Sequence, residues 1–376
     1  MSRHLPRGFV LPVLAAAFVS CAYGFEIKPV DAPLPLAALE CRVGGRAVVE
    51  NGGAAYRFQW PGVYFVAAFH GSEVFFRTGA GRAIYHVVVD DRSPDSDVKW
   101  TSPGPGVFRI DGLAAKDHRI RIELATECQG GAVEFDGFFV RNAADARPAP
   151  AASPRRIEFI GDSHTVGYGD TSTKRVCTPD EIWSHTDTSD AFGALVARHY
   201  GADYRINAIS GRGIVRNYGG FTADTLPEAY PFALFDHHTP ADDRGWDPQV
   251  IVIGLGTNDF STPLKPGEKW KTRDAEHADF EATYLKFFHE LRTKHPGAFF
   301  ILAANDQADG EIQAEVRKII ARLREQGETN VGYAEFNHLE LTGCDWHPSL
   351  ADHRHMASVL IGVIDAHPGA FPAPSR

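Results

Sequence analysis

Residues 157–170 read IEFIGDSHTVGYGD. A short, mostly apolar run stops abruptly at Gly-Asp-Ser, and a loop of small and polar residues follows. The run has the length and composition of a buried strand. Two readings of Ser163 then compete. It is a nucleophile presented at a strand end, or it is a turn serine, because Gly-Asp-Ser after a strand is also ordinary turn chemistry. The stretch alone does not decide; the chain around it does.

Downstream, apolar strands alternate with amphipathic helices. The expected strands are 155–162, DYRINAIS (203–210), QVIVIGLGTND (249–259), AFFILAAND (298–306) and VGYAEF (331–336). A helix is expected from Ser189 over SDAFGALVARHYG, with Ser189 as N-cap and Gly201 as stop. Others are expected over 274–295, 310–327 and about 351–366. This alternation implies a doubly wound parallel sheet covered on both faces, an α/β fold over residues 156–376. Upstream, residues 25–145 carry short β-branched and aromatic runs such as EVFFRTG, AIYHVVVDD and HRIRIELATE, broken by Gly, Pro and Asp. These predict an all-β sandwich of jelly-roll type. Residues 146–155, with Pro148, Pro150 and Pro154 among alanines, read as a linker.

The chain has 376 residues and a formal net charge of -10. It has no basic stripe, which argues against a nucleic-acid partner. Residues 1–24 read as a signal peptide. Arg3, His4 and Arg7 precede an apolar run too short to span a bilayer, and Ala22-Tyr23-Gly24 fits a cleavage site before Phe25. A retained N-terminal helix fits less well, since Pro6 and Pro12 interrupt it. FVSC (18–21) is a degenerate lipoprotein box that would lipidate Cys21. The expected location is secreted or periplasmic, with no membrane partner unless Cys21 is lipidated. Four further cysteines remain: Cys41, Cys128, Cys177 and Cys344. Pairing within each half is the economical expectation, Cys41 with Cys128 and Cys177 with Cys344; four buried thiols are the alternative. No cysteine spacing suits a metal, and neither metal nor other cofactor is expected.

Ligands of such sheets bind at the carboxyl ends of the strands. Read there, the sequence supplies Asp162-Ser163, then NAISGRGIVRNYGG (207–220), then GLGTNDF with Asn258, and near the end CDWHPS with Asp345 and His347. Acyl transfer by a serine needs this set. The hydroxyl needs a base, His347; the base needs an orienting acid, Asp345; and the oxyanion needs donors. The N–H groups of Ser163 and Gly211 and the amide of Asn258 are the candidates. Singly, Asn258 is a turn former, the glycines merely permit positive φ, Asp345 is a cap and His347 is one of 17 histidines. Jointly, in this order at these strand ends, the bland readings fail.

GDSHTVGYG, SGRG, GTND and DWHP resemble the sequence blocks of SGNH (GDSL-type) hydrolases. With the β-rich half and GRGIVRNY, the chain resembles carbohydrate esterase family 2. The resemblance implies a jelly roll joined to an SGNH domain that deacetylates plant polysaccharides such as glucomannan and xylan, favouring the 6-O position. It implies Ser163 as nucleophile, His347 as base, and Gly211 and Asn258 as oxyanion donors. Some members orient the histidine with a backbone carbonyl; Asp345, two residues before His347, leads us to expect a full triad. Trp346, Tyr218 and Trp183, with Tyr168, are candidates for the sugar site, each with a packing role as the alternative. The competing functions are a lipase or arylesterase on the same scaffold, and an inactive carbohydrate-binding protein. Cys177 and Cys344, on loops at one sheet edge, are expected to form a disulfide.

Overall fold

The computed structural model describes residues 24–371 apart from Pro33, Asp91, Pro94 and Asp95. Residues 1–23 of the expected signal peptide, including the lipidation site at Cys21, lie outside the described residues.

Five parallel strands form the central sheet in the spatial order Asp203–Ala208, Arg156–Gly161, Val250–Gly254, Phe299–Asn305, Val331–Phe336. In chain order this is 2-1-3-4-5, so the direction of winding reverses between the first and third strands, and a crevice opens at their carboxyl ends. Side chains alternate across the sheet. Ile160, Ile253 and Leu302 face the helices Arg273–Lys294 and Glu311–Glu325 through Phe280, Tyr284, Ile312 and Val316. Ile157, Phe159 and Val252 face the helices Phe192–Tyr200 and Leu350–Asp365 through Val196, Ala197, Met356 and Leu360. Burial on both faces is why the central strands Val250–Gly254 and Phe299–Asn305 are almost continuously apolar.

One expected helix start is corrected. Ser189 is not the N-cap; the helix begins at Phe192 with Ala191 at the cap position and ends at Gly201 in the left-handed conformation. The buried Ser189 hydroxyl instead donates to Asp187 Oδ1 at 2.7 Å, so it has no role in starting the helix.

The N-terminal half forms two antiparallel sheets of seven and six strands, closed on Phe58, Phe65, Phe76, Phe135 and Phe138. The last strand, Ala146–Arg147, pairs with Phe69 and Ala68, so the sandwich takes in the first two residues of the expected linker. Cys41 and Cys128 are unbridged, against the expected pairing. They occupy different surroundings, Cys41 beside Tyr56 and Cys128 beside Tyr85, and burial pushes both thiols up to about 12. The sandwich sits directly on the parallel sheet. Tyr64 and Val66 join the core of Ile157 and Phe159, and Trp60 joins that of Ile160.

Candidate active site

Ser163 opens the four-residue helix Ser163–Val166 at the end of the first sheet strand. Asp162 caps it, accepting from the His164 N–H at 3.0 Å. The Ser163 hydroxyl lies 2.8 Å from His347 Nε2. Nδ1 of His347 lies 2.9 Å from the carbonyl oxygen of Cys344 and 3.2 Å from that of Asp345. A carbonyl only accepts, so Nδ1 carries the proton. Nε2 is therefore the bare nitrogen, and the serine hydroxyl donates to it. Burial lowers the pKa of His347, partly offset by the Cys344 carbonyl and the nearby charge of Asp345. The ring is thus a neutral base near pH 7.

The full triad is corrected. The Asp345 carboxylate makes no hydrogen bond to His347; Oδ2 accepts from the Tyr168 hydroxyl at 3.1 Å. The cause is local. Asp345 lies in the one-turn helix Cys344–Trp346 with φ of 50°, and its N–H donates to the Arg175 carbonyl, so its side chain leaves the imidazole edge. Tyr168, a sequence candidate for the sugar site, lies beside the imidazole with ring centroids 4.3 Å apart.

The donors converge from two loops. Gly211 has φ of 83°, which favours glycine, and a Cβ there would press on the Phe221 ring at 3.1 Å. The N–H groups of Ser163 and Gly211 have no partner among the described residues. Asn258, on the short helix Thr257–Phe260 after the third strand, donates from Nδ2 to the Arg212 carbonyl at 2.9 Å and, at 3.4 Å, to Asp162 Oδ2. Its amide therefore lies between the nucleophile's strand end and the Gly211 loop.

Several supporting groups were missed in the sequence. Asp259 accepts from the N–H groups of Ile214, Val215 and Arg216 at 2.9–3.0 Å and so shapes the loop after Gly211. A Cβ on Gly213 would lie 2.1 Å from the Arg216 carbonyl, which is why the tight turn reads GRG. Burial pushes Asp162 up to about 7 and Asp259 up to about 6. His164 is buried beside His347 and held well below its usual pKa by that burial. The one visible signal was a carboxylate next to Ser163 in GDS and next to Asn258 in GTND.

Trp346 and Tyr218 are each 56% exposed, and Phe221 is 43% exposed, so flat faces are open to solvent on the loops that carry the base and Gly211. Trp183 differs: the Arg82 guanidinium covers one face at 3.7 Å from the ring centroid. Cys177 and Cys344 form a disulfide with Cα atoms 5.6 Å apart. It ties the loop after the nucleophile to the loop of the base. Among the described residues, no cluster of histidine, cysteine or carboxylate groups could hold a metal.

Residues 159–370 match the GDSL-like Lipase/Acylhydrolase family, which makes the chain a carboxylic ester hydrolase. Residues 43–150 match the family described as Carbohydrate esterase 2 N-terminal. The chain is 44% identical over 346 residues to an acetylxylan esterase / glucomannan deacetylase of Cellvibrio japonicus (strain Ueda107), covering 90% of this chain and 93% of the relative. A solved carbohydrate esterase whose active site has divergent catalytic and non-catalytic binding functions superposes with a TM-score of 0.83 at 40% identity, over 89% of this chain and all of the other. A family two carbohydrate esterase from Clostridium thermocellum, solved with cellohexaose, gives 0.77 at 26% identity, over 88% of this chain and all of the other. The chain belongs to carbohydrate esterase family 2.

Proposed function

We propose that this chain is a secreted serine esterase that removes O-acetyl groups from plant polysaccharides, glucomannan and xylan, at the 6-O position that the family resemblance implies. The observation that carries the reading is the 2.8 Å contact from Ser163 Oγ to a neutral His347 Nε2.

In the reaction, Ser163 Oγ attacks the acetyl carbonyl carbon while His347 Nε2 takes its proton. The oxyanion is met by the N–H groups of Ser163 and Gly211 and by the Asn258 amide. His347 then passes the proton to the departing sugar oxygen, leaving acetyl-Ser163. Water, deprotonated by the same nitrogen, releases acetate and restores the hydroxyl. The imidazolium is stabilised by the Cys344 carbonyl, with Asp345 a nearby charge rather than a partner. Trp346 and Tyr218 offer flat faces to a pyranose. Export to the periplasm or beyond is supported by the sequence of residues 1–24 and by the disulfide.

Acetate release from acetylated glucomannan, acetylated xylan and a long-chain acyl ester tests this. The polysaccharides should be deacetylated, and Ser163→Ala should lower turnover by ~10³-fold or more. Preference for the long-chain ester would favour a lipase; binding without acetate release would favour a carbohydrate-binding protein.

A further inference from the structure

The loop between the sandwich strands Lys116–Leu124 and Val133–Val140 reaches the edge of the active site. Glu127 Oε1 accepts from the Ser210 N–H at 2.6 Å. Gln129 Nε2 donates to the same Glu127 oxygen at 3.0 Å and to the Ser210 carbonyl at 3.1 Å. The Ser210 carbonyl and the Gly211 N–H belong to one peptide unit, which is planar and trans. Fixing the carbonyl therefore fixes the direction of the N–H.

We propose that Gln129, held by Glu127, is a positioning residue of the β-sandwich that aims the Gly211 N–H at the oxyanion. The inference rests on the proposed role of Gly211. Glycine at this position is free to rotate its peptide plane at little steric cost. From within the hydrolase domain, the Gly211 carbonyl accepts from the Tyr218 N–H at 2.9 Å, Asn258 donates to the Arg212 carbonyl at 2.9 Å, and Asp259 grips the loop from Ile214 onward, but none of these touches the Ser210 carbonyl. The Ser210–Gly211 peptide is gripped from the other domain. The same sandwich loop also reaches the nucleophile: the Ala125 carbonyl accepts from the Thr188 N–H at 2.9 Å, and the Thr188 hydroxyl donates to the Val166 carbonyl at 2.6 Å. The sandwich thus braces both the nucleophile helix and one oxyanion donor, although it supplies no reacting group.

The test is steady-state kinetics on an acetylated substrate with thermal melting of each full-length variant. Gln129→Ala should lower kcat about 5–10-fold with KM within about twofold and an unchanged melting temperature, because a misdirected donor is felt in the transition state. Gln129→Glu has the same shape but cannot donate to a carbonyl and faces Glu127, so its loss should be at least as large. Glu127→Gln keeps an acceptor for Ser210 and should retain most of kcat. Asn258→Ala, tested in parallel, should lose ~10²-fold or more. If Asn258→Ala loses kcat while Gln129→Ala and Gln129→Glu do not, the positioning role is overturned and the oxyanion reading stands. If Asn258→Ala also turns over normally, the oxyanion reading fails and the positioning role with it. A change in KM alone would likewise overturn it.

Discussion

His347 keeps its Nδ1 proton on the Cys344 carbonyl while the Asp345 carboxylate goes to the Tyr168 hydroxyl. A carbonyl fixes tautomer and orientation as a carboxylate does, but it is a dipole and stabilises the imidazolium less. The difference is measurable. Asp345→Asn should keep kcat within about tenfold of wild type, where loss of a true triad acid costs ~10⁴-fold. The same residue shapes the pH profile. Burial lowers the His347 pKa, so the neutral, basic ring persists below the ordinary value of 6.5, and activity is lost only as pH falls through the lowered pKa. The acid limb of kcat/KM should therefore have its midpoint below 6.5; a midpoint above it would contradict the burial argument. The meeting of Ser163 with His347, and the nearness of the Gly211 and Asn258 loops, were legible because ligands gather at the carboxyl ends of such a sheet. The carboxylate partner was not, because the two-residue spacing to His347 does not reveal the left-handed backbone at Asp345.

At the scale of elements, the loop carrying the base is a device of three braces. The Cys177–Cys344 disulfide holds its start, the Arg175 side chain donates to the carbonyls of Leu341 and Glu340, and the Gly169 carbonyl accepts from the Cys344 N–H at 3.1 Å. Since Cys344 also supplies the carbonyl on Nδ1, the disulfide bears directly on the base. With 167 residues separating the two cysteines, Cys344→Ser should cost ~2–5 kcal/mol of stability. It should also reduce kcat while leaving substrate affinity nearly intact; denaturant titration and kinetics with and without reductant check both. Stability lost with kcat intact would show that the other braces suffice. Long elements were easiest to read: the helix expected over 274–295 is Arg273–Lys294, and that over 310–327 is Glu311–Glu325. The helices Ser163–Val166 and Thr257–Phe260 were not read, since four residues carry no helical period.

Across the whole molecule, sandwich and hydrolase are joined by buried charge. His86 of the sandwich lies 2.6 Å from Asp97 and 2.9 Å from Asp187 on the hydrolase loop behind the nucleophile, with Lys99 also on Asp187 at 3.0 Å. Burial acts to lower its pKa, but the two carboxylates outweigh burial and the nearby Arg92, raising it to about 9. A raised folded-state pKa means that this stabilisation is complete below about 6.5 and fades as pH rises through about 9. Melting temperature should fall over that window in wild type and more weakly in His86→Gln; parallel curves would remove His86 as the cause. Such cross-domain contacts lay beyond the sequence, which separates the halves by a proline-rich stretch and says nothing of what faces what. The role of Ser163 stands above these details, and one measurement reaches it. Mass spectrometry of enzyme quenched during turnover of an acetylated substrate should find an acetyl group on the peptide containing Ser163, and Ser163→Ala should carry none. An acetyl group on another residue, or undiminished turnover by Ser163→Ala without one, would contradict the account.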